Sequence, residues 1–274
     1  MSINKYLNNN SDTNLLKRFA FVGTTESFES KLKHLAAMSE KERWDQTDSM
    51  TNRNNSTIFY YVVHTFDRCF KQDKIVINDD ESFALFNTGL MTEQGNEIYG
   101  LFDKSINYNE TQANSNYWRL SKFVKENEKE YLSLNMRKPE MATYFSDFNE
   151  LYFNPQFEIV INFDHIYDDN YQRLPIEMQS LEKDTASAVF NGFLGYTLKR
   201  IRRNNRIPVP QFYNDKITFL IPVKVFNTKI MVIALEKIGE TYIGNTILTM
   251  GMAYNCARLL NKPESDWLVA ETYE

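Results

Sequence analysis

Two cysteines in 274 residues, Cys69 and Cys256, leave no disulfide framework to read; both sit in apolar patterns and are expected as buried thiols. Histidine is scarce too, with three in the chain, and no second His or Cys lies near His165, which argues against a zinc site there. Cations are outnumbered, 31 Lys and Arg against 36 Asp and Glu. The resulting formal charge of −5 excludes a surface that coats nucleic acid wholesale, although a local basic patch can still bind one. No apolar run approaches the roughly 18 residues of a membrane span. The polar, Asn-rich opening from Met1 to Asn14 lacks the charged, apolar and small-residue order of a signal peptide. These absences point to a cytosolic protein with no membrane partner and a flexible residue 1–14 start.

What is present is ample core material: 42% hydrophobic residues, with 20 Phe and 16 Tyr. That supports one α+β domain over 1–274, with a mixed or largely antiparallel sheet packed by helices and a helical N-terminal third. The stretch Lys216 to Pro263 organises it. Ile217 to Val225 is apolar on both faces, as a central strand must be, and Ile230 to Leu235 runs back as the other arm of a hairpin. Pro222 has no N–H to give, so it should face a bulge or an unpaired position. Asn245 and Thr246 are candidate caps for a helix beginning at Ile247, and Trp267 is expected to fold back onto the same core.

Earlier in the chain, Leu15–Phe21, Ser27–Trp44 and Thr57–Phe70 carry helical spacing, with an exposed loop expected over Asp45–Ser56. Lys74–Ile77, Ser82–Phe86 and Asn96–Phe102 read as strands, and Asn87-Thr88-Gly89 as a tight turn. A charged helix is expected over Lys122–Tyr131. Phe157–Phe163 alternates as a strand and leads into a polar loop, Asp164 to Arg173. The longest helix follows, with Ala186, Phe190, Leu194 and Ile201 at its period, and closes in Lys199, Arg200, Arg202, Arg203 and Arg206.

Several of these segments in this order resemble an uncharacterised bacterial family, the domain of unknown function family 3825. The matching pieces are Phe19-Ala20-Phe21 with Trp44, Phe86-Asn87-Thr88-Gly89-Leu90, Asp164-His165-Ile166 with Asp169-Asn170 and Arg173-Leu174-Pro175, Val209-Pro210-Gln211, Leu220-Ile221-Pro222, and Tyr242 to Leu248 running to Ala253-Tyr254 and Ala257-Arg258-Leu259-Leu260. The resemblance implies company with cold-shock and OST-type helix-turn-helix modules, hence RNA metabolism or defence. It supplies no catalytic set. Gly251 stands where the family is expected to carry an acidic residue, which argues against a carboxylate on that helix.

Two sites follow from the residues. Lys199, Arg203 and Arg206 fall at i, i+4 and i+7 with Arg200 beside them, a stripe that can fork to phosphates while Tyr196, Phe212 and Tyr213 stack bases. The structural reading is that cations near a helix C-terminus complement its dipole. The second site is Asp164, His165, Asp168 and Asp169, where His165 and an adjacent Asp can act as acid and base, or the carboxylates can hold a divalent ion. Arg173, or Arg258 on the helix expected from Ile247, would hold the phosphate. Here the structural reading is ordinary turn and capping chemistry. Gly244-Asn245-Thr246 lacks the lysine of a P-loop and reads as a cap. The leading expectation is an RNA- or nucleotide-binding protein with the polar loop beside the basic helix end. The alternatives are a phosphodiester- or nucleotide-processing enzyme, whose side chains must converge in one pocket, and a protein-interaction scaffold. The sequence requires no cofactor.

Overall fold

The computed structural model describes residues 3–44, 56–226, 229–265 and 267–268. Its contacts divide into two compact units, Met1–Thr143 and Tyr144–Glu274, within the span read from sequence as one domain. Each contains a mixed five-stranded sheet packed by helices, so the fold is α+β.

In the first unit, α1 (Leu15–Phe19) is capped by Asn14 and runs into β1 (Ala20–Phe21); α2 (Thr25–Met38) is capped by Thr24; α3 (Ser56–Lys71) follows. Then come β2 (Val76–Ile77), β3 (Phe83–Met91), β4 (Glu97–Lys104), β5 (Trp118–Lys125) and the short α4 (Lys129–Ser133). The sheet order is β1-β5-β4-β3-β2, with β1 parallel to β5 and the other pairs antiparallel. The 3.6-residue period of α3 buries Ile58, Val62, Phe66 and Cys69 on one face. Phe66 meets the sheet there, 5.2 Å from Phe86 and 5.7 Å from Phe102. The helical N-terminal third is thus realised in part: three helices, with β1 between the first two. Within residues 3–14, read as flexible, Tyr6 is buried against Tyr117 and Trp118.

Two expectations about this unit are corrected. Asn87-Thr88-Gly89 is not a turn, because β3 continues to Met91 across a register shift. Gly89 keeps its positive φ of 71°, Asn87 Oδ1 accepts the Gly89 N–H at 2.8 Å, and Thr88 Oγ1 donates to the Ile98 carbonyl at 2.6 Å, so the irregularity is satisfied inside the sheet. The chain reverses instead at Thr92–Gly95. Lys122–Lys125 belongs to β5 rather than to a helix: consecutive Phe123 and Val124 are both buried, which a strand achieves when its two faces are covered. The loop expected over Asp45–Ser56 lies, for residues 45–55, outside the described residues.

The second unit contains β6 (Glu158–Ile161), α5 (Phe163–Asp169), a 3₁₀ turn at Tyr171–Arg173, α6 (Ile176–Gln179), α7 (Lys183–Ile201), β7 (Val209–Tyr213), β8 (Lys216–Val225), β9 (Lys229–Ile238), β10 (Thr241–Leu248) and α8 (Met250–Arg258). The order is β6-β10-β9-β8-β7, with β6 parallel to β10 and the remaining pairs antiparallel. Strand parity sets the layers. Phe219, Ile221, Val223 and Val225 of β8, with Met231, Ile233 and Leu235 of β9, pack against Ile166 of α5 and Ala186, Phe190 and Ile201 of α7. The alternate residues Leu220 and Val232 pack against Ala253, Tyr254 and Ala257 of α8. Small residues let α8 lie close, and Trp267 seals its end by donating Nε1–H to the Ile207 carbonyl at 2.7 Å. Pro222 pairs opposite Val232 without a bulge and lies two positions past Leu220, the last β8 residue that β7 reaches; its carbonyl accepts Thr197 Oγ1–H at 3.3 Å.

The helix expected from Ile247 begins later. β10 runs on as a strand through Leu248 across a register shift between Gly244 and Thr246: Tyr242 before it and Ile247 after it both enter the α7-side core, and Ile247 pairs with Ile233 and is 1% exposed. Thr249 is the cap, its side chain accepting the Met252 N–H at 3.2 Å. Gly244 therefore sits within the sheet, where an added Cβ would stand 2.6 Å from Ile161 Cδ1 and 3.0 Å from carbons of Ile233 and Leu235. In urea unfolding, Gly244→Ala is expected to cost about 1–3 kcal/mol by overpacking. Thr249→Ala should cost about 1 kcal/mol, with Asn245→Ala near neutral. A stability loss in Asn245→Ala with none in Thr249→Ala would restore the earlier helix start.

Candidate functional site

The segment Asp164 to Arg173 is helical where a loop was expected. Asn162 caps α5, accepting the His165 N–H at 3.2 Å, and the helical repeat then places Asp164 and Asp168 one turn apart, and likewise His165 and Asp169. Lys183, at the start of α7, reaches Asp164 at 3.2 Å and Asp168 at 3.0 Å. His165 Nδ1 lies 2.8 Å from Asp169 Oδ2, with both side chains well exposed. The three carboxylates thus turn to two different partners and do not converge on one cation. Among the described residues, no group of three or more His, Cys, Asp and Glu side chains is placed to hold a metal ion.

Arg173 is committed to the fold. Its Nη1 donates to Asn170 Oδ1 at 2.8 Å and to the Ile247 carbonyl at 3.0 Å, while Thr246 Oγ1 lies 2.9 Å from the same Asn170 oxygen. This clamp ties the turn after α5 to the end of β10. Arg258 is half-buried on α8, across the sheet from α5 and α7, so it is not brought together with His165. Of the groups that the enzyme reading needs, this geometry pairs His165 with Asp169 and sets Arg258 on the opposite face of the sheet.

The basic end of α7 has a different shape from the expected stripe. Lys199 and Arg200 lie on the helix, but Arg202 is the C-cap, so Arg203 and Arg206 lie beyond it. All five cations are exposed. Arg203 turns back, donating from Nη1 to the Lys199 carbonyl at 2.8 Å, which caps one terminal carbonyl. The 16 residues from Lys183 to Lys199 rise about 24 Å along the helix. Asp164 and Asp168 are therefore held at one end of α7 and the cations stand at the other, not side by side as expected. Of the aromatics expected nearby, Tyr196 and Tyr213 are exposed at 62% and 58%, whereas Phe212 is 9% exposed and packs against Tyr144.

The cysteines offer no reactive thiol. Burial pushes the Cys69 thiol up to about 12 and the Cys256 thiol up to about 11, so neither ionises near neutrality.

Sequence reasoning missed a polar cluster in the first unit. Register sets Glu97 of β4 opposite Glu126, and like charges so placed repel. Lys138 relieves this, reaching Glu97 at 2.8 Å and Glu126 at 3.3 Å, while Asn87 Nδ2 donates to Glu97 Oε2 at 2.7 Å. The Glu97 N–H donates to Glu126 at 3.1 Å and, as the main cause, lowers the Glu126 pKa. Burial pushes the neighbouring Tyr99 phenol up. Only the pairing register, which the sequence does not carry, brings these residues together.

Two units, each a mixed five-stranded sheet packed by helices, define the class as an α+β protein. A family model described as a domain of unknown function, DUF3825, matches residues 35–267, and the chain belongs to that family. No similar curated protein and no similar solved structure was found.

Two outcomes test these assignments. Arg173→Ala should lower stability by about 1–3 kcal/mol by removing the guanidinium donor from the Ile247 carbonyl and leaving Asn170 Oδ1 with Thr246 Oγ1–H alone; wild-type stability would contradict the clamp. Lys138→Ala should lower the thermal midpoint at pH 7. Because the folded Glu126 pKa is depressed, the carboxylate remains charged below its ordinary value of about 4.3, and the effect should vanish only as pH falls through the lowered folded value. A pH-independent effect would show that Lys138 acts by packing alone.

Proposed function

We propose that this protein binds RNA or a nucleotide through phosphate contacts at the C-terminal end of α7, in the cytoplasm, in the service of RNA metabolism or defence. The observation that carries the reading is the set Lys199, Arg200, Arg202, Arg203 and Arg206: five exposed cations within eight residues, none paired with a carboxylate among the described residues. The contrast within the same unit is informative. Lys183, Lys216 and Lys229 each meet an acidic partner, although the chain as a whole carries an acidic excess.

Helix-dipole compensation accounts for Lys199 and Arg200, and the carbonyl cap accounts for one donor of Arg203. The dipole's influence falls off within the last turn, so Arg206, five residues beyond Ile201, needs another reason. Guanidinium groups that fork to phosphate oxygens provide one.

Binding of a fluorescein-labelled, mixed-sequence RNA, followed by anisotropy across a salt series, tests this reading. Affinity should fall as a straight line on a log–log plot, and Arg206→Ala should weaken binding and reduce the slope by about 0.7, the loss of one single-strand phosphate contact. Absence of binding at low salt, or an unchanged slope in both Arg206→Ala and Arg200→Ala, would contradict it.

A further inference from the structure

Resting on that reading, we infer that the ligand is single-stranded RNA laid along the outer face of α7, with a base stacked on Tyr196 and the adjoining phosphates on Lys199 and Arg203. The buried side of α7 is fixed by Phe190, Leu194, Thr197 and Ile201. At 3.6 residues per turn, Tyr196, Lys199 and Arg203 fall on the opposite side, at i, i+3 and i+7. Arg203 keeps that alignment beyond the helix end, since Arg202 retains αR backbone and the Arg203 guanidinium folds back onto the Lys199 carbonyl.

Tyr196 is 62% exposed, so its ring is not part of the core, and it stands one turn before the first cations. An aromatic face in line with cations is how proteins hold unpaired bases while tracking the backbone. A duplex hides its base faces in the stack and offers Tyr196 nothing to cover. The face just before Tyr196 is bare: apart from the adjoining residues and the helix's own backbone, an added Cβ at Gly192 or Gly195 would meet nothing within 4 Å. Both glycines weaken the helix relative to alanine without relieving any crowding, and they leave the backbone open to a strand that continues past the ring.

The test compares a mixed-sequence single-stranded RNA with its fully paired duplex, on wild type, Tyr196→Ala, Tyr196→Trp and Gly192→Leu, by anisotropy at fixed salt. Wild type should prefer the single strand. Tyr196→Ala should weaken single-strand binding by about 5- to 150-fold, the range of one base–aromatic stack, and Tyr196→Trp should retain it. Gly192→Leu should raise the thermal midpoint yet weaken single-strand binding, a combination that a purely structural role cannot produce. Salt-sensitive binding that is equal for strand and duplex, or unaffected by Tyr196→Ala or Gly192→Leu, overturns this inference and leaves the phosphate reading standing. If wild type binds neither RNA, the phosphate reading falls as well.

Discussion

The second unit depends on the double burial of β8 and β9. A strand shows alternate residues to opposite faces, so a run such as Phe219, Leu220, Ile221 can be buried throughout only if both faces of its sheet are covered. α5 and α7 cover one face and α8 the other. Each fully buried aliphatic or aromatic side chain contributes about 1.5–3 kcal/mol, and β8 and β9 supply seven on the α5–α7 side with Leu220 and Val232 on the other. The layers in turn decide which polar residues can meet. Arg258 is carried to one face and the α5 carboxylates to the other, however close they look as candidates in a sequence.

The length of α7 imposes the second constraint. Its first residue pairs with Asp164 and Asp168, and its last turn begins the cationic cluster. A rigid helix keeps those charges about 24 Å apart, well beyond the screening length of about 8 Å at physiological salt, so the acidic end does not blunt the basic one. The same chain can therefore be acidic overall and still present a local field that attracts phosphate.

Much of this architecture was legible. The β8–β9 hairpin, the helical character of Thr57–Phe70 and the amphipathic run ending near Ile201 all follow from the period of their apolar residues. Errors arose where local chemistry admits two readings. Asn87-Thr88-Gly89 has turn residues, yet the buried Leu85 and Phe86 before it and Leu90 after it hold the segment in a sheet. Asn245 and Thr246 can cap a helix, but pairing with β9 extends β10 three residues past the predicted junction, and Thr249 takes the role. At the site, the exposed cations were recognisable as residue types. Their separation from Asp164 was not, because it depends on which end of α7 each group occupies, and the commitment of Arg173 depends on a carbonyl of Ile247, 74 residues away in sequence.

The central claim is that ligand engages the C-terminal end of α7 and leaves α5 alone. Amide hydrogen exchange with and without saturating single-stranded RNA tests it most directly. The account predicts slowed exchange confined to residues 192–206, with α5 and the turn at Tyr171–Arg173 unchanged. Protection centred on Asp164–Arg173 and none on 192–206 would contradict it and return the site to the acidic end of the helix.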